Sequence, residues 1–391
     1  MTTVRDPIHG SIRIEDWMEG LVASPVVQRL RRVGQLGTAN LVYPGANHRR
    51  FEHSLGASHL AGRLAAAVGL SEEERRTARA ASLLHDVGHG PFSHAFEELV
   101  KEEGRSHEET TIDLVQWGPL ADLLRQADLR PPEVADAVLG KGPVGPIVAG
   151  TLDADRMDYL VRDAHYTGVR SGADPDRLAA VMDHDDAHGL LLRESGLVAA
   201  EAFLTTRYLM YPAVYLHHTV RASEMMLLAA IRCHLADADD GSRLADLERL
   251  GDDGLLWRLR EGGGAAAELV GRLDDRRLYK RAYEGRSHRL NEPEIEELAK
   301  DPGARRAAAT LLANVAGVPE HHVIVDVPRL PKFSEAAMLV RRRDGRVQRL
   351  DEASGLVAAL HGARLDHWRF WVFAPRNAHE AVAKAAKRRF G

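Results

Sequence analysis

Residues 83–94 read Leu83-Leu84-His85-Asp86-Val87-Gly88-His89-Gly90-Pro91-Phe92-Ser93-His94. An apolar helix ends there in a His-Asp pair, and two glycines then free the backbone to open toward a ligand. Ser71 followed by Glu74 is the capping-box pattern that starts this helix. A lone His-Asp dipeptide carries little weight, because a buried histidine satisfied by a carboxylate is common. Here His89, His94 and His107 follow closely, and that many imidazoles near one helix end exceed what packing alone requires.

Upstream, Val4 to Ile14 alternates around Asp6-Pro7 and Gly10 and reads as a hairpin. Pro25 opens a helix through Val26, Leu30 and Val33 that Gly34 and Gly37 end. A loop from Tyr43 to His48 leads into a helical stretch around Ser54 to Leu70. Downstream, Ser106 with Glu109 forms a second capping box. Leu152 to Val161 is expected to be helical, as is Leu197 to Ala236 with a break at Pro212. The texture changes near residue 237: Asp237 to Gly241 and Gly262-Gly263-Gly264 read as loops, and charged helical patterns run to about Ala316. Val323 to Val327 and Trp368 to Phe373 read as strands, Ala337–Arg342 and Arg346–Leu350 as a hairpin about Asp344-Gly345, and the basic C-terminus as a helix. The expected layout is mainly α: a catalytic helical core over 1–236, followed by a smaller α+β region over 237–391.

Composition narrows the class. The chain has 391 residues, 45% apolar and 28% charged, so disordered and fibrous classes are excluded. A formal charge of −5 argues against nucleic acid as the main partner. Cys233 is the single cysteine, which excludes an internal disulfide framework and a cysteine zinc cluster and suits a reducing compartment. No apolar run has the ~18 residues of a membrane span, and the first residues lack a signal-peptide core. A soluble, cytoplasmic protein is expected.

Four segments carry candidate chemistry: Arg50-Phe51-Glu52-His53-Ser54, His85 to His94, Ser106-His107-Glu108, and Asp153-Ala154-Asp155-Arg156-Met157-Asp158-Tyr159. Imidazole nitrogen and carboxylate oxygen without thiolate suit a six-coordinate Fe, Mn, Ni or Co ion, or Mg with fewer protein ligands; Zn is the other candidate. His53, His85-Asp86 and Asp155 resemble the H…HD…D signature of HD-domain phosphohydrolases. Gln35-Leu36-Gly37, Tyr43 to His48, Arg50 to Gly56, His85 to His94, Asp155 to Tyr159, Arg162 to His165 and Thr206-Arg207 with Tyr215 and His217 extend the resemblance. They are similar to the deoxynucleoside triphosphate triphosphohydrolases of the branch typified by the animal sterile-alpha-motif and HD-domain enzyme, from Asp6 onward and without the sterile-alpha-motif domain.

The resemblance implies roles by position. His53, His85, Asp86 and Asp155 would hold a divalent metal ion, and Arg50 and His89 the α-phosphate. Arg156, where the family commonly has lysine, and Arg207 would add positive charge for a triphosphate; a salt bridge with Asp153 or Asp158 is the plain structural alternative for Arg156. His94 would be the general acid for the leaving 5′-oxygen, supported by His107. Gln35, Tyr159 and Asp163 would meet the sugar, Leu36 and Tyr215 would crowd its 2′ side, and His217 would complete the substrate site. Ala23 stands where the family has a guanine-reading aspartate, so guanine-selective activation is not expected although Gln28 and Arg31 match neighbouring contacts. The expected partners are a nucleoside triphosphate substrate and further copies of the chain in a homo-oligomer. The rival readings are hydrolysis of another nucleotide or phosphate ester, and a regulatory or single-strand-binding protein with a decayed pocket.

Overall fold

Ser71 Oγ accepts a hydrogen bond from the Glu74 backbone N–H, and Glu74 Oε2 accepts one from Ser71 N–H, so the capping box opens the helix Glu72–Leu84 as expected. The computed structural model describes residues 2–185, 187–237, 243–290, 292–330 and 333–391, and of His94 only the backbone. Glu72–Leu84 packs along Arg50–Ala67, which packs in turn against Ala154–Thr167. The second crossing needs Gly56: a Cβ there would lie 1.9 Å from Asp158 Oδ1. This helical layer carries the Arg50–His53 and Asp155–Tyr159 motifs and ends one helix at His85-Asp86. The first apolar cluster, including Phe51, Leu55, Leu60, Leu83 and Leu84, fills it.

The long helical stretch breaks at Pro212 as expected. Leu197–Met210 gives way to a π-helical turn, Tyr211–Tyr215, before His218–Asp237 begins. Widened turns of this kind commonly sit at functional sites. Here the turn presents Tyr211 and Tyr215 to the central cavity.

The N-terminal hairpin pairs Thr2–Asp6 with Gly10–Ile14. Strands also form at Ile324–Asp326, Leu339–Arg341, Val347–Arg349 and Arg369–Ala374. Two features depart from expectation. Lys280–Arg286 lies in the stretch read as charged helix, yet it is a strand antiparallel to Arg369–Ala374. Its sequence has little apolar alternation, and the apolar Arg369–Ala374 strand recruits it from one side and Ile324–Asp326 from the other. Met182–Asp185 and Gly189–Arg193 form a further hairpin, onto which Leu339–Arg341 adds in parallel. Residues Phe333, Ala336, Met338, Val340, Leu350 and Val357 thereby join the first cluster. A second cluster joins Phe92–Val100 to the His218–Asp237 helix, and a third lies under the C-terminal helix His379–Phe390. Beyond Asp237, the loop expected to reach Gly241 lies outside the described residues. The fold is mainly α with small sheets. Among the described residues, no helix is long and apolar enough to cross a membrane.

Candidate active site

Three helix ends bring the four expected metal ligands together. His53 lies in the first turns of Arg50–Ala67, Asp155 in the first turn of Ala154–Thr167, and His85-Asp86 just past Glu72–Leu84. His53 Nε2 lies 3.1 Å from Asp155 Oδ1, 3.5 Å from Asp86 Oδ2 and 3.3 Å from His85 Nε2. His85 Nε2 is 3.3 Å from Asp86 Oδ1 and 3.4 Å from Asp155 Oδ1.

An outer layer sets the tautomers. His53 Nδ1 lies 2.8 Å from Asp158 Oδ2, and His85 Nδ1 lies 2.8 Å from the Ser82 carbonyl oxygen. Each ring can donate through Nδ1, which turns the Nε2 lone pair toward its partners. Asp158 is itself held by a two-pronged Arg162 and by His9, and Arg162 reaches Asp6 at 2.8 Å. All of these groups are buried. Burial opposes a proton on His53, yet Asp155, Asp158 and Asp86 push it up to about 10. The cluster therefore favours positive charge at the point where the Nε2 atoms meet, which suits a cation.

Arg50 donates to Asp86 and, through Nε, to Ser93 Oγ at 2.6 Å. Burial raises the Asp86 carboxyl, but Arg50, His85 and His89 outweigh it and hold it well below the usual range. Burial, with Arg50 and His107 alongside, holds the His89 pKa well below the usual range and keeps the ring neutral. Its ring stacks on His107 at 3.8 Å, and His107 Nδ1 lies 2.8 Å from Glu97 Oε1. The loop between carries strain: Phe92 and Ser93 have φ of 56° and 53°, a region unfavourable for non-glycine residues. Asp252 pins this loop, accepting from the N–H groups of Phe92 at 2.7 Å and Gly34 at 2.8 Å. Strain held by surrounding bonds is typical of functional loops. The helix His94–Glu102 starts directly after it, while the His94 side chain lies outside the described residues.

A cavity of about 460 Å³ opens from this cluster. Of the expected substrate contacts, Gln35, Leu36, Arg50, Tyr159, Asp163 and Tyr215 line it. Asp163 accepts from the Tyr215 hydroxyl at 2.8 Å and lies 2.7 Å from His48 Nε2. Gln35 Oε1 and Arg50 Nη2 are buried without a hydrogen-bond partner, which in a lined cavity points to a polar ligand. Arg156 and Arg207 do not line the cavity. Both guanidinium groups approach the fully buried Glu335 Oε1, at 2.9 and 3.1 Å, and Arg156 also pairs with Asp153. His217 stacks on His218 at 4.7 Å and lies outside the lining as well.

An HD-domain profile matches residues 50–162, and a profile of the HD-associated region matches residues 173–391. The chain belongs to the HD-domain family. This HD-domain chain is 31% identical to an uncharacterized protein of Methanocaldococcus jannaschii over 96% of its own length and 80% of the relative's. It is also 31% identical to the deoxynucleoside triphosphate triphosphohydrolase SAMHD1 homolog of Dictyostelium discoideum, covering 71% of this chain and 59% of that protein. The crystal structure of a phosphohydrolase from Bacteroides thetaiotaomicron superposes with a TM-score of 0.76 at 25% identity, over 96% of this chain and all of the other.

Sequence reasoning about this HD-domain chain passed over one wall of the cavity. Arg221 and Glu224 line it, and Arg221 donates to both oxygens of Asp326, at 3.0 and 2.7 Å. Their three-residue spacing reads as a solvent-facing helix pair. Only the break at Pro212, which reorients His218–Asp237, hinted that this helix start faces a cavity.

Proposed function

We propose that this HD-domain phosphohydrolase is a metal-dependent dNTP triphosphohydrolase, releasing deoxynucleoside and inorganic triphosphate by water attack at the α-phosphorus. One observation carries the reading: a single cavity runs from the His53–His85–Asp86–Asp155 cluster past Arg50 to an Asp163 already oriented by His48 and Tyr215. Its volume falls within the ~300–1,000 Å³ of small-molecule sites. The name carried by the Dictyostelium relative supports the same substrate class.

The donor set fits a divalent ion. It offers two imidazole nitrogens with fixed tautomers and two carboxylates, with no thiolate. Mn, Fe, Ni, Co, Zn and Mg are the candidates. Such an ion, held by His53, His85, Asp86 and Asp155, would supply Lewis acidity and lower the pKa of water.

The chain's own residues do the rest. Arg50, with its unpaired Nη2, and the neutral His89 hold the α-phosphate oxygens. His107, oriented by Glu97, assists His94 in delivering a proton to the leaving 5′-oxygen. Asp163 accepts the 3′-hydroxyl, Gln35 and Tyr159 add contacts, and Leu36 and Tyr215 exclude a 2′-oxygen by overlap. Arg156 and Arg207 join the triphosphate tail only if Glu335 releases them, and His217 acts from behind the wall. Assembly into a homo-oligomer is part of the same proposal.

The capture of both arginines by Glu335 favours one second reading, a nucleotide or phosphate ester with less charge. Product analysis across all dNTPs and NTPs in heavy-oxygen water separates the two. Triphosphate carrying the label, with unlabelled deoxynucleoside, is expected. Orthophosphate or pyrophosphate as first product overturns the proposal in favour of the second reading.

A further inference from the structure

Outside the cavity lining, Glu268 meets two adjacent histidines. His321 Nε2 lies 3.1 Å from Glu268 Oε2, and His322 Nε2 lies 3.2 Å from Oε1. All three donor atoms fall within 4.8 Å of one another. Donors about 2.0–2.1 Å from a tetrahedral zinc ion stand roughly 3.3 Å apart. The carboxylate–imidazole separations here, 3.1 and 3.2 Å, match that edge length.

The surroundings are built rather than incidental. Arg272 donates to Glu268 Oε1 at 2.9 Å, which holds the carboxylate and leaves Oε2 toward His321. Tyr279 is buried, donates its hydroxyl to the His321 carbonyl at 3.0 Å, and sets its ring edge-on to His322 at 6.3 Å. The same ring lies under the Arg272 guanidinium. The side chains of His321 and Glu268 keep 21% and 41% exposure, so water can complete the coordination.

We propose that Glu268, His321 and His322 form a second divalent-metal site, selective for a zinc-class ion that accepts imidazole and carboxylate. Its ion would clamp the helix Gly264–Asp274 to the turn Glu320–His322. The strand Ile324–Asp326 follows that turn and ends in the Asp326 that holds Arg221 at the cavity wall. Neither the HD-domain motifs nor the phosphohydrolase reading calls for this site.

The test uses the full chain, stripped with a chelator and titrated with cobalt and zinc. Wild-type protein is expected to bind two ions per chain at micromolar free metal, one of them giving a tetrahedral cobalt spectrum. His321→Ala/His322→Ala and, separately, Glu268→Gln are expected to lose one equivalent and that spectrum, and to keep hydrolysis. Asp86→Asn is expected to lose the other equivalent and keep the spectrum. Two ions in Glu268→Gln, or a second ion in wild type only at millimolar metal, overturns the proposal. Should the double variant unfold, Glu268→Gln decides alone, because it keeps the volume and the Arg272 contact.

Discussion

At the His–Asp end of the cavity, each histidine proposed as a metal ligand has a fixed partner behind it: Asp158 behind His53 and the Ser82 carbonyl behind His85. The arginines expected at the phosphate tail are arranged otherwise, with Arg156 and Arg207 both turned onto Glu335 and away from the cavity lining. One region is preorganised for its ligand, and the other has a carboxylate that competes with any phosphate for the same cations. The contrast shows that charge placed near a site by sequence is available only when no buried counter-charge has already taken it.

The largest expected effect tests the preorganised end. Asp86→Asn is expected to remove bound metal and lower turnover by more than the ~10–100-fold typical of losing an outer-layer partner. Elemental analysis and steady-state kinetics check this, and full metal occupancy in the variant would remove Asp86 from the ligand set. Next comes Asp158→Asn, one layer out. Metal affinity should fall about 10–100-fold. Because the Asp158–Arg162 pair is fully buried, breaking it should cost about 3–5 kcal/mol of stability. Chelator competition and denaturant melts read the two effects separately.

At the proposed sugar wall, Leu36→Ala should shift selectivity toward ribonucleotides by about 1–3 kcal/mol. Unchanged preference in kcat/KM for paired dNTP and NTP substrates would place the wall elsewhere. Glu335→Gln addresses the captured arginines directly. The expected result is a lower Tm together with a severalfold lower KM for dNTP, as both guanidinium groups become available. An unchanged KM would leave Arg156 and Arg207 as a structural clamp.

The smallest effect is a pH slope at the wall made by His218–Asp237. Burial pushes the Glu224 carboxyl up to about 7 despite the charge of Arg221, with Asp326 and Glu98 adding to the rise. The folded chain therefore keeps a proton that the unfolded chain releases near its ordinary value of 4.5. Stability from this group is full below that value and is lost as pH rises through about 7. Glu224→Gln should flatten this slope, as melts at about pH 5 and about pH 8 would show.

Much of the His–Asp end was legible in the chain because its signals are local. The Ser71–Glu74 box sets where one helix begins, and the glycines after Asp86 set where it opens. Asp153 caps the helix whose first turn carries Asp155, its side chain accepting from Arg156 N–H at 2.7 Å. The π turn was half legible: Pro212 announces a break, but not that Tyr211 and Tyr215 face the same cavity as Leu36. The strand Lys280–Arg286 was not legible, since its partner Arg369–Ala374 lies far along the chain and supplies the apolar face.

The amino-acid sequence by itself determined the mainly helical class, the two capping boxes, and four histidine and aspartate side chains placed at helix ends. These rest on interactions between residues a few positions apart, which chain geometry enforces wherever the helix forms. Only the tertiary structure decided the rest: that Arg162 and His9 lock Asp158 behind His53, that Glu335 takes Arg156 and Arg207, and that His321 and His322 converge on Glu268. Each of these is a choice among charged partners far apart in sequence. For Asp158 and Glu335 burial makes that choice, because a desolvated charge must take whichever counter-charge the packing brings within reach.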